Sequence, residues 1–158
     1  MRGRTILVLA ALMIASLLTA AAPAVADGHT DAKLTVVHGI PGAVVDVYVD
    51  GAKALPDFAP NTVTDPIPLP SGTHQVEIYA AGDDPAADDS LLAADLVLPP
   101  GGDVTAVAHL EEGGGLTLSA FLNDTTRPIS GQARLVVRHL ADAPAVDIIA
   151  NGSLALFE

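Results

Sequence analysis

The chain has 158 residues, with 19 acidic residues against seven Lys or Arg, no Cys, no Trp and a formal net charge of −12. Such a charge repels nucleic acid and anionic lipid, which excludes both as expected partners. Lack of Cys rules out a disulfide framework, and the 50% apolar content excludes a disordered chain, so stability has to come from an ordinary core.

The first 26 residues, MRGRTILVLAALMIASLLTAAAPAVA, join Arg2 and Arg4 to an apolar run from Ile6 to Leu18 and close on Ala24-Val25-Ala26. A basic start, a short apolar middle and a small-x-small end predict a signal-peptide helix over residues 1–26, cut after Ala26. The apolar run is shorter than the roughly 20 residues a spanning helix needs, so no membrane insertion is expected after cleavage. No Cys follows the cleavage site, which argues against a lipid anchor. Losing Arg2 and Arg4 takes the net charge to −14. The expected location is extracellular, either free or associated with the cell wall.

Past residue 30 the apolar pattern has a period of two. Lys33 to His38 is the first predicted strand and Val45 to Val49 the second. Asp50-Gly51 then marks a hairpin, because a type I′ turn needs positive φ at both central positions. Ala52 to Leu55 is the return strand. The stretch PDFAPNTVTDPIPLPSG is too rich in Pro for a central strand, and Val63 to Leu69 is expected along an edge. In THQVEIYA, His74, Val76, Ile78 and Ala80 share one face, and Thr73, Gln75, Glu77 and Tyr79 the other. An acidic loop, AGDDPAADDS, leads to a strand from Leu91 to Leu98 and the turn PPGG. Val104 to Leu110 and Leu116 to Leu122 follow, joined by EEGGG. No stretch beyond the signal peptide keeps helical spacing for three turns without Gly or Pro. About eight short strands with such frequent turns predict an all-β, antiparallel β-sandwich over residues 32–122.

Residues 123–133, NDTTRPISGQA, read as a linker, and after them the opening pattern returns. A shift of 101 residues lays KLTVVHGIPGAVVDVYVDG on RLVVRHLADAPAVDIIANG, matching Leu34 to Leu135, His38 to His139, Asp46 to Asp147 and Gly51 to Gly152. The hairpin signal is kept in kind, Asp50-Gly51 becoming Asn151-Gly152. Residues 134–158 are therefore expected to be the truncated start of a second copy. About 25 residues cannot bury a core alone and leave an open strand edge. Such a fragment docks on its own module, completes a sheet of another molecule to give oligomers, or belongs to a longer parent protein.

LTVVHGIPGAVVDVYVDG, together with PSGTHQVEIYAAG and LPPGGDVTAVAHL, resembles the signature of the domain-of-unknown-function family 4397. The second copy is closer to the signature in its Asp142-Ala143-Pro144 turn and further in its strand, where Ile149-Ala150 stands in place of Tyr-Val. The resemblance implies an immunoglobulin-like sandwich in secreted or cell-surface bacterial proteins, often with tandem copies. It implies no activity and no catalytic residues.

Three constellations offer candidate chemistry. His38 with Asp46, matched by His139 with Asp147, is either half of a metal or acid–base site or a brace in which the carboxylate fixes a turn; the brace is the expectation. Asp83, Asp84, Asp88 and Asp89 present hard oxygen ligands suited to Ca²⁺, but without EF-hand spacing, and a solvated loop tip is the expectation. Tyr48, Tyr79, Asp46 and Glu77 form an amphipathic patch edged by acids if the outer faces of their strands coincide. No serine elbow, paired-His ligand spacing or phosphate-cradling Gly motif is present, so no catalytic residue is assigned and no enzyme is expected. The expected function is a non-enzymatic structural, adhesive or ligand-binding module without a cofactor, its partner a cell-wall component or another protein. The alternative is a calcium- or metal-dependent binding protein using the acidic loop or the His/Asp pair.

Overall fold

The computed structural model describes residues 30–140, 144, 146–150 and 154–157; the predicted signal peptide and the Asn151-Gly152 turn lie outside the described residues. The first eight strands are β1 (Ala32–His38), β2 (Val45–Val49), β3 (Ala52–Phe58), β4 (Ile67–Leu69), β5 (Gly72–Ala80), β6 (Leu92–Leu98), β7 (Asp103–Leu110) and β8 (Leu116–Leu122). They form two four-stranded sheets ordered β4-β1-β7-β8 and β3-β2-β5-β6. The chain is an all-β sandwich.

Strict alternation places the core. From the first sheet Leu34, Val36, Val104, Ala106 and Ala108 point inward; Val45, Val47, Val76, Ile78, Leu96 and Leu98 meet them from the second. The side chains are branched or small, which suits a pleated surface, and each fully buried Val, Leu or Ile contributes about 1.5–3 kcal/mol over leaving it exposed. In β5 the predicted faces hold: His74, Val76 and Ile78 are buried, Thr73 and Gln75 exposed.

The turn chemistry also holds. Asp50 and Gly51 sit at φ 51° and 77°, the left-handed pair of a type I′ hairpin between β2 and β3. β3 runs on to Phe58 through Pro56, a position open to Pro because β3 is an edge strand. The Pro-rich stretch lies on an edge as expected, although its ladder is short: β4 pairs three residues with β1, and Val63 makes one isolated bridge to Val37. One ladder departs from the antiparallel expectation, since β1 runs parallel to β7, from Lys33↔Asp103 to His38↔Ala108. Between them the chain passes through the other sheet, so no tight hairpin dictates the direction.

Residues 123–140 carry no strand. The predicted opening strand of a second copy is therefore not formed at 134–140. β1, which shares its pattern, is held between β4 and β7, and among the described residues no such pair of neighbours flanks 134–140. The predicted second hairpin does have its strands, β9 (Ile148–Ala150) and β10 (Leu154–Phe157), which pair only with each other among the described residues.

Candidate functional site

Pleat parity decides the His38–Asp46 pair. His38 shares parity with Leu34 and Val36 and so points into the core, where it is 2% exposed. Asp46 has the parity opposite to Val45 and Val47 and leaves its sheet on the outer face. The two do not meet, and the brace between them is not formed. His38 instead accepts the Ile40 N–H at Nδ1, 3.2 Å, which places its proton on Nε2. That Nε2 is buried with no hydrogen-bond partner of normal geometry among the described residues, and the ring leans on Phe58 with centroids 5.4 Å apart. Burial lowers the His38 pKa, partly opposed by the Ala43 carbonyl, so the ring is neutral.

Asp46 is a brace with other partners. Oδ2 takes Lys53 Nζ at 2.7 Å and the Gly82 N–H at 3.3 Å, while Oδ1 takes the Asp57 N–H at 2.8 Å. One carboxylate thus ties β2 to β3 and to the β5–β6 loop. Hydrogen bonding from Lys53 and then Asp57 lowers its pKa, and Asp46 in turn raises that of Lys53. Asp57, at φ 48°, belongs to an irregular stretch of β3 whose register against β2 shifts twice, which turns its N–H toward the carboxylate. In the later segment His139 Nε2 lies 3.2 Å from the Pro144 carbonyl, and both His139 and Asp147 are exposed.

The surface patch is brought together. The β2–β5 register sets Asp46 opposite Tyr79 and Tyr48 opposite Glu77, so all four residues share the outer face. Tyr48 and Tyr79 meet edge to face at 5.4 Å, and the Tyr79 hydroxyl donates to Glu77 at 3.3 Å. Lys53 lies 5.4 Å from the centre of the Tyr48 ring, within cation–π range. Asp46 and Tyr79 are themselves buried, so the accessible part is Tyr48, Lys53 and Glu77. Burial, followed by the charge of Glu77, raises the Tyr79 pKa and keeps it a neutral hydroxyl.

The acidic loop spends two of its carboxylates on its own backbone. Asp88 accepts the Asp84 N–H at 2.9 Å, and Asp84 accepts that of Ala86 at 3.0 Å. Asp84 and Asp88 close a turn, and among the described residues no group of three or more acidic or His side chains is arranged to hold a metal ion.

A clamp that sequence reasoning missed sits at one end of the sandwich. His74, 7% exposed, has Nδ1 2.7 Å from Asp50 Oδ2 and Nε2 2.8 Å from the Pro70 carbonyl. Two acceptors on one imidazole call for two protons, and the Asp50 contact followed by the Pro70 carbonyl raises the His74 pKa. Asp50 Oδ1 also accepts the Gln75 N–H at 3.0 Å. The hairpin turn is thereby bolted to the start of β5. The available signal was a His in an otherwise apolar strand face together with an Asp in the hairpin turn, 24 positions apart and unlinked by local spacing.

His109 is likewise occupied: Nδ1 donates to the Leu110 carbonyl and Nε2 is hydrogen-bonded to the Ser119 hydroxyl, both at 2.8 Å. No curated protein matches the chain. Residues 32–149, well over half of the sequence, match the model of the family described as Domain of unknown function (DUF4397). The match begins at the first residue of β1 and runs past β8 to β9, and the chain belongs to that family.

Proposed function

We propose that this is a non-enzymatic, extracellular β-sandwich module with a structural or adhesive role, exerted through the outer face of the β3-β2-β5-β6 sheet. The carrying observation is the Tyr48 ring, partly exposed, braced edge to face by buried Tyr79 and flanked by Lys53 and Glu77. A rigid aromatic edged by one cation and one carboxylate contacts protein or glycan with little loss of side-chain freedom. Committed side chains support the non-enzymatic part of the reading. Asp46, His74 and His109 each spend their polar atoms on fixed hydrogen bonds. The signal-peptide pattern of residues 1–26 supports the location.

Co-sedimentation with the insoluble wall of the producing cell, in Ca²⁺ and in chelator, tests the reading. Saturable pelleting that is indifferent to chelator and lost in Tyr48→Ala is expected. Loss on chelation would transfer the activity to the acidic loop, and absence of pelleting would rule out the wall as partner.

A further inference from the structure

Open sheet edges are sites of strand addition unless something guards them. β3 is guarded by Lys53, Pro56 and its shifted register, and β4 is three residues long with Pro68 at its centre. β8 is also unguarded but carries no charged residue, and among the described residues nothing guards β6. Its seven residues run in unbroken register with β5, without Pro, Lys or bulge, and present Ala93, Asp95 and Val97 outward, with Val97 65% exposed. Pairing β6 with a second β6 about a two-fold axis at its centre would set Asp95 against Asp95, and directly opposed like charges disfavour that ladder.

The chain also carries an unpaired segment of complementary character. RLVVRHL, residues 134–140, brings two of its arginines into an otherwise acidic protein, with Leu135, Val136 and Val137 exposed at 72%, 55% and 40%. Among the described residues, no backbone group from 135 to 140 takes part in a backbone hydrogen bond. Among the described residues the segment's side-chain hydrogen bonds to the preceding linker come from its two arginines. Arg134 binds Asp124 and Thr126, and Arg138 donates to Asn123 at 2.9 Å and lies 4.5 Å above the Phe121 ring. Beneath it a cleft of about 630 Å³ remains against Val37, Val107 and Leu110, so its present seat is loosely packed.

We propose that the edge of β6 takes up residues 134–140 of a second copy of this chain as an added antiparallel strand. One register satisfies both partners. With Arg138 opposite Asp95, Val136 falls opposite Val97 and Leu140 opposite Ala93, all on the outer face. Leu135 and Val137 then fall beside Leu98 and Leu96 on the core face, the role that Leu34 and Val36 play in β1. Leu135 and Val137 leave solvent, Val136 and Val97 become cross-strand neighbours, and the carboxylate meets a guanidinium. This pairing is independent of the proposed wall-binding role.

Sedimentation velocity of the purified protein across a wide concentration range tests it. Self-association is expected, weakened about tenfold or more by Asp95→Arg and regained when Arg138→Asp is added. Asp95 is exposed, so an unchanged melting temperature in Asp95→Arg separates loss of pairing from loss of fold. The chain has no Cys of its own, so Val97→Cys with Val136→Cys gives a clean second readout. Directly opposed antiparallel residues lie about 4.5–5.5 Å apart at Cα, within disulfide reach, and mild oxidation should yield a covalent dimer. A monomer at every concentration, an association indifferent to Asp95→Arg, or a crosslink confined to single chains would each overturn the proposal.

Discussion

Residues 34–55 and 135–156 carry nearly the same pattern and meet different fates. Leu34 is 3% exposed and Leu135 72%; His38 and Asp46 are buried, whereas His139 and Asp147 lie at the surface. The hairpins differ as well. In the first, Val49 pairs with Ala52 across a two-residue turn, and in the second Ala150 pairs with Leu154 across three residues. An offset of one residue reverses which face a side chain takes, so keeping the Asx-Gly signal did not keep the register. An alternating apolar run specifies what a strand would bury, while its neighbours decide whether it becomes one. β1 has β4 and β7 on its two sides, and β2 has β3 and β5; residues 134–140 have no ladder partner among the described residues.

Paired substitutions at matched positions sharpen the contrast, and the largest difference belongs to the core. Leu34→Ala should cost about 3 kcal/mol in denaturant unfolding, and Leu135→Ala less than about 0.5 kcal/mol. Next comes the carboxylate. Asp46→Ala orphans the Asp57 and Gly82 N–H groups and releases Lys53, at a cost of about 2 kcal/mol, whereas Asp147→Ala should leave the unfolding midpoint within about 0.5 kcal/mol of the parent. A smaller effect, about 1 kcal/mol, is expected for Gly51→Ala, because Gly51 sits at φ 77° and open space around it removes any steric excuse. Equal costs at both members of a pair would mean that the later segment is as firmly packed as the first.

The smallest effect is a pH dependence carried by the His74–Asp50 clamp. The His74 pKa is raised above 6.5, so its contribution is complete below that pH and is lost as pH rises through the elevated value. Asp50 is lowered below 3.8, so its contribution is complete above that pH and is lost as pH falls through the depressed value. The clamp is therefore strongest between the two. Denaturant midpoints should fall modestly from mildly acidic to alkaline pH, and His74→Gln should flatten that decline. An unaltered profile in the variant would remove the clamp from the account.

Much of the fold was legible because a sandwich core rests on local alternation: β2 and β8 begin and end where the pattern does, and β1, β5, β6 and β7 lie within one residue of it. The Tyr48–Tyr79 patch was legible for the same reason, since both rings take the outward parity of adjacent strands. Parity also contains the answer on His38 and Asp46, which their spacing across the turn obscures. Lys53, Asp57 and Gly82 were out of reach, because their approach to Asp46 depends on the register shift in β3 and on where the acidic loop folds back. The parallel pairing of β1 with β7 leaves no local trace in either strand.

Residue-resolved amide hydrogen exchange, at a concentration where the protein is monomeric, tests the central contrast most directly. Strong protection is expected at Leu34, Val36 and Val47 and rapid exchange at Leu135, Val136 and Val137. Protection of residues 135–137 equal to that of β1 in the monomer would contradict it, since those residues would then be strands of the module in their own right.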